Sequence, residues 1–181
     1  MKRLCALIAL ALVLGARAAG AVSVGVGAFG GVSIPLVQDD TGQVTLFGLR
    51  VPVNLIPLLS VEPYFAATSG GDKDETFVGT GYTRSGLDVT AFGANALLSF
   101  GSTIRFYPFA GIGSHKLKRE GAEDITKTGY NFGLGLGVSP PVAGLSVDLR
   151  GELNAVVDGD ASRKWANVTL GVSYNLIKLA K

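Results

Sequence analysis

The stretch TGYNFGLGLGV, residues 128–138, decides the fold. Tyr130, Phe132, Leu134, Leu136 and Val138 fall on one side of an extended chain, and Asn131, Gly133, Gly135 and Gly137 on the other. Successive side chains of a strand point to opposite faces, so this period of two predicts a strand with one bulky apolar face and one small or polar face. Residues 145–155 repeat the pattern, with Leu145, Val147, Leu149, Leu153 and Ala155 opposing Ser146, Asp148, Arg150, Glu152 and Asn154. In residues 166–176, Val168, Leu170, Val172, Tyr174 and Leu176 oppose Asn167, Thr169, Gly171, Ser173 and Asn175. In residues 44–56, Thr45, Phe47, Leu49, Val51, Val53 and Leu55, mostly bulky and apolar, oppose Gly48, Arg50, Pro52 and Asn54.

Residues 22–34, 59–68, 87–100 and 103–113 read as four further strands, with less regularity. In the third of these, Phe92, Ala94, Ala96 and Leu98 share a face with Asp88 and Thr90. Either a bulge shifts the phase there, or Asp88 lies beyond an apolar band. The connections alternate long and short. Residues 36–43, 69–86, 114–127 and 157–164 read as long polar loops, and residues 57–58, 101–102 and 139–144 as short turns. Four long and three short connections suit eight strands that begin and end on the side of the short turns. That is the rhythm of an outer-membrane barrel, with short periplasmic turns and longer external loops. A soluble ligand-binding barrel would turn its apolar face inward, with no such rhythm. The expected fold is therefore all-β: an eight-stranded antiparallel up-and-down transmembrane β-barrel.

Composition agrees. Mean hydropathy is +0.39 and the chain carries 26 glycines, yet it has no continuous apolar span of about 20 residues after the N-terminus. Strands in lipid must pair every backbone group, so the sheet must close. An eight-stranded barrel is just wide enough for its interior to be filled by side chains. Glycines 25, 27, 31, 111, 113, 133, 135, 137 and 171 suit that crowded inner face, and the bulky residues suit acyl chains.

The N-terminus reads as an export signal. Lys2 and Arg3 precede an apolar run at residues 4–14, and Ala16-Arg17-Ala18 offers a small-x-small cleavage site. Residues 1–18 are expected to be removed, leaving 19–181 as the barrel domain. The cut takes the single cysteine, Cys5, and three basic residues, leaving 13 basic against 14 acidic. Net charge moves from +2 to −1, which removes the electrostatic case for nucleic-acid binding.

Two local patterns carry a resemblance: Tyr107-Pro108-Phe109-Ala110-Gly111-Ile112-Gly113, and the last strand Val168-Thr169-Leu170-Gly171-Val172-Ser173-Tyr174-Asn175-Leu176. With the strand meander, they make the chain resemble the small outer-membrane β-barrel proteins of the OmpA-barrel, OmpX and opacity-protein type. The resemblance covers essentially all of residues 19–181. It implies residence in the bacterial outer membrane, contact with membrane lipid and lipopolysaccharide, and assembly through periplasmic chaperones and the barrel-insertion machinery, as a monomer.

The candidate site is the inward charged set Arg50, Glu62, Arg105, Asp148, Arg150 and Glu152. Charges in a narrow lumen are costly unless paired, so three basic and three acidic residues are expected to form a rigidifying plug. The alternative is a charged constriction for ions or small solutes. Phe100, Phe106, Tyr130, Trp165 and Tyr174 fall near strand ends and are candidates for an aromatic girdle. Lys116, Lys118 and Arg119 form a basic run, expected in a loop and able to meet anionic lipopolysaccharide.

Motifs of other classes read as structural. Gly25-Val26-Gly27-Ala28-Phe29-Gly30 has dinucleotide-fingerprint spacing, but the strand alternation runs through it where the motif needs a turn into a helix. His115 follows Ser114, yet neighbouring strand residues face opposite ways, and His115 is expected to be a solvated loop residue. Acidic clusters at residues 72–75 and 158–160 lack the spaced ligand set of a calcium loop. Asn167-Val168-Thr169 fits a glycosylation sequon but lies within a strand. No metal, cofactor or catalytic residue is expected. The function read from these features is a non-enzymatic outer-membrane barrel presenting four external loops for surface interaction or envelope stabilisation. A small pore is the second reading, and a lipid-modifying barrel enzyme the third.

Overall fold

The computed structural model describes residues 22–36, 43–69, 73–77, 80–84, 87–119, 123–140, 144–158 and 161–178. The expected signal peptide, residues 1–18, lies outside them. The strands are β1 (Ser23–Pro35), β2 (Val44–Arg50), β3 (Val53–Ile56), β4 (Leu59–Ser69), β5 (Lys73–Phe77), β6 (Thr80–Arg84), β7 (Leu87–Leu98), β8 (Phe100–Gly101), β9 (Ile104–Arg119), β10 (Ile125–Val138), β11 (Leu145–Asp158) and β12 (Ala161–Lys178).

Neighbours in sequence pair antiparallel around the sheet, and β12 returns to β1, Val26 facing Tyr174 and Val32 facing Val168. Among the described residues the result is a closed antiparallel barrel of eight staves, with β2 and β3 forming one of them. Proline splits that stave. Pro52 has no N–H to give the ladder, and regular pairing stops at Arg50 and resumes at Val53. The wall stays closed because Gly25 N–H donates to Pro52 O at 2.9 Å and Val51 N–H to Pro63 O at 2.9 Å. Two turns use the left-handed backbone that favours glycine, Gly101 at φ 98° and Gly144 at φ 62°. The Gly25–Gly30 stretch is continuous β1 strand.

The two faces divide as the alternation predicts. Leu134, Leu136, Leu149 and Leu170 are exposed on the outer wall, while Asn131, Asp148, Arg150 and Thr169 are buried inside. Asp88 sits opposite Lys118, and β7 runs against β9 from Leu87 to Leu97 with no shift in register, so there is no bulge. Asp88 keeps the phase of Phe92 and simply lies further up the strand.

The expectations of long loops at residues 114–127 and 157–164 are overturned. β9 and β10 pair as far as Leu117 opposite Ile125, and β11 and β12 as far as Asp158 opposite Ala161. The alternation continues there with its chemistry inverted. Leu117 and Val156 are buried inside, and Lys118 is exposed outside. Above the apolar band the outer face meets water and the inner face packs, as in a soluble barrel. The connection at residues 69–86 is corrected in part, since it carries the β5–β6 hairpin. Of the acidic clusters, residues 73–75 belong to β5 and Asp158 ends β11, while Asp72, Gly159 and Asp160 lie outside the described residues.

Candidate functional site: the charged lumen

Glycine makes the lumen wide enough for large side chains. A Cβ on Gly171 would strike the Arg50 guanidinium, and one on Gly135 would strike the Tyr107 ring. β2 thereby sends Arg50 across toward β11, and β11 sends Arg150 back toward β4.

The two guanidiniums build one layer across the barrel. Arg50 donates from Nη1 to Asp148 Oδ1 at 3.1 Å and from Nη2 to Oδ2 at 2.5 Å, and its Nε donates to Ser173 Oγ at 3.1 Å. Arg150 clamps Glu62 in the same fork-to-fork way, Nη1 to Oε1 at 2.5 Å and Nη2 to Oε2 at 2.9 Å. The Arg150 Nε donates to Tyr107 Oη at 3.0 Å and to Asp148 Oδ1 at 3.1 Å, joining the two pairs. Arg50 Nε also lies 3.9 Å from Glu62 Oε2. Phe29 faces the Arg50 guanidinium at 5.8 Å, and Tyr107 and Phe109 face that of Arg150 at 5.2 and 5.4 Å. All four charged residues are at most 8 % exposed. Charges so far from water persist because each carboxylate is held bidentately and each guanidinium directs every nitrogen to an acceptor and lies against ring faces.

Four of the six lumen charges therefore come together, and two stand apart. Glu152 lines a cavity of about 40 Å³ on the long-loop side of the layer, with Tyr64, Asn154, Asn167, His115 and Trp165. Arg105 lines a second cavity of about 50 Å³ on the turn side, with Asn54, Ser60, Ser146 and Asn175. Glu62 and Arg150 border both, so the layer is the partition between them. Each cavity has room for a few waters and no more.

His115 is not a loop residue, and the reason is the extension of β9 beyond residue 113. Its ring is 2 % exposed and meets Trp165 edge-on, centroids 5.5 Å apart. Ser114 faces outward on the same strand, so the two form no relay. Trp165 departs from the girdle reading, since it shares the inward phase of Asn167 and lines the outer cavity. Phe100, Phe106, Tyr130 and Tyr174 stand exposed on the outer wall. Lys116 and Lys118 lie on β9 rather than in a loop, 2.7 and 4.0 Å from Asp124 Oδ2. The hydrogen bond from Lys116 holds the exposed Asp124 carboxyl below its ordinary pKa. Arg119 is the last residue of β9. Asn167 of the sequon is buried in the lumen.

Sequence reasoning missed Ser173 and Tyr107 as partners of the arginines. Ser173 was visible as an inward-phase polar residue. Tyr107 carried no such signal, because an aromatic in a strand reads as wall.

The profile of the outer membrane protein β-barrel domain family matches residues 5–176. No curated protein sequence matches the chain. Among solved structures, Neisserial surface protein A is similar at TM-score 0.60 and 15 % identity, over 86 % of this chain and 97 % of that one. The N-terminal β-barrel domain of Pseudomonas aeruginosa OprF is similar at TM-score 0.56 and 17 % identity, over 85 % and 97 %. A major outer membrane protein from Thermus thermophilus is similar at TM-score 0.53 and 13 % identity, over 86 % and 99 %.

Proposed function

Because the chain belongs to the outer-membrane protein β-barrel domain family, with its place in the bacterial outer membrane, we propose that it is a closed, non-enzymatic barrel whose work is done at its outer end. It anchors by its wall and offers its external connections for surface interaction or envelope stabilisation. The observation that carries this reading is the ion-paired layer of Arg50, Asp148, Arg150 and Glu62, which spans the lumen between two cavities of water size. A solute would have to break two buried bidentate pairs to pass, leaving their charges uncompensated in the lumen.

In the same reading, residues 1–18 are removed on export, and periplasmic chaperones and the insertion machinery assemble a monomer from residues 19–181. Phe100, Phe106, Tyr130 and Tyr174 sit at the bilayer boundaries. Lys116, Lys118 and Arg119 lie at the outer end of β9, within reach of anionic lipopolysaccharide. Planar-bilayer recording tests the central claim. Folded protein is expected to give no steady single-channel conductance. A steady conductance altered by Arg150→Ala would overturn it in favour of a pore.

A further inference from the structure

Arg50 and Arg150 face three lumen carboxylates, Glu62, Asp148 and Glu152. Every nitrogen of both guanidiniums is already directed to Glu62, Asp148, Ser173 or Tyr107. Glu152 forms no ion pair among the described residues. Around it, several buried polar atoms lack a partner within the described residues: Asn167 Oδ1, Asn131 Oδ1, Tyr64 Oη and His115 Nδ1. Asn167, Tyr64 and His115 line the outer cavity together with Glu152, and all four of these partnerless side chains are more than nine-tenths buried. Register sets Asn167 on β12 directly opposite Glu152 on β11, whereas Asn131 on β10 sits opposite Asn154 with its Oδ1 turned toward Gly111 on β9.

We propose that the outer cavity holds one small monovalent cation, of the sodium or potassium class, against the Glu152 carboxylate, with the amide oxygen of Asn167 and the Tyr64 hydroxyl in its shell. Hard cations take oxygen ligands of this kind. One free carboxylate balances a single charge, where a divalent ion would call for more. The cavity volume of about 40 Å³ suits a small ion with one or two waters. The layer of paired arginines forms the floor, so the ion enters and leaves from the long-loop side and does not cross. The site acts as a counter-ion socket for the carboxylate on the long-loop side of the layer.

Trp165, the chain's single tryptophan, lines the same cavity and reports on it. The test uses folded protein in detergent micelles, titrated with potassium or thallium(I) against N-methylglucamine at constant ionic strength. Trp165 fluorescence is expected to change saturably, with stronger quenching by the heavy thallium ion. Glu152→Gln keeps the side-chain shape and is expected to abolish saturation. Asn167→Ala is expected to weaken the apparent affinity by roughly 10-fold or more, the scale of lost ligand support in metal sites. Heat-modifiable mobility on SDS gels checks that each variant is folded, and the Asn167→Ala arm stands alone if Glu152→Gln does not fold. A linear, unsaturable response, or the same saturation in both variants, would overturn the proposal. So would a protonated-carboxyl infrared band in potassium that disappears in Glu152→Gln, because a proton would then be neutralising the group.

Discussion

Two sets of ion pairs in this barrel use the same chemistry in opposite surroundings. In the lumen, Arg150 grips Glu62 and Arg50 grips Asp148, every partner at most 8 % exposed. At the outer end of β9, Lys116 meets Asp124 at 2.7 Å with both side chains nearly half exposed. The lumen pairs are bidentate, share Asp148 as a common acceptor and exclude water. The outer pair is a single contact in high dielectric, where holding two side chains offsets most of the attraction. The comparison teaches that geometry alone does not rank these pairs. Desolvation does, because it makes the loss of one partner far worse than the loss of the pair.

The sharpest way to break that contrast is Glu62→Ala. It leaves Arg150 buried with half its acceptors gone, and a loss of about 3–5 kcal/mol is expected in equilibrium urea unfolding followed by Trp165 fluorescence. A loss no larger than that of a surface substitution would mean water already solvates the layer. Adding Arg150→Met to the same chain removes the orphaned charge. The double variant is expected to recover much of the stability, and strict additivity of the two changes would deny the coupling.

Gly171→Ala probes the same layer from its wall. The new methyl meets an Arg50 guanidinium fixed by Asp148 and Ser173, and overpacking of this kind costs about 1–3 kcal/mol. An unchanged unfolding midpoint would show that Arg50 can swing aside. The smallest effect is expected at the exposed pair. Lys116→Ala should leave the midpoint unmoved within error, in contrast to every lumen change. The folded Asp124 carboxyl titrates below its unfolded value. Its slight contribution is therefore present above the ordinary carboxylate range and disappears as pH falls through the folded value. An NMR titration is expected to show Asp124 returning toward an ordinary carboxylate pKa in Lys116→Ala.

The barrel was legible where the membrane imposes one rule along the whole strand. Lipid outside and a crowded lumen inside make Phe132, Leu134 and Leu136 alternate with glycine, and no packing detail can change that phase. The rule fails past the apolar band. At Lys116, Leu117 and Lys118 the outer face meets water, so polar residues that looked like loop are the outside of a strand whose inner side packs Leu117. His115 and Trp165 were misplaced for the same reason, since an inward position at that height looks like loop or boundary in a linear reading.

The sequence by itself determined the class of fold, the phase of each membrane strand and the identity of the inward charges, because these follow from local periodicity against a fixed solvent. Only the tertiary structure decided who pairs with whom. Arg50 and Asp148 are 98 residues apart, and Arg150 and Glu62 are 88. Barrel closure and strand register bring them together across the lumen, and nothing local to either segment encodes that distance. The same register leaves Glu152 on one side of the layer and Arg105 on the other. Four charges thus became a partition and two did not, although all six shared one inward phase.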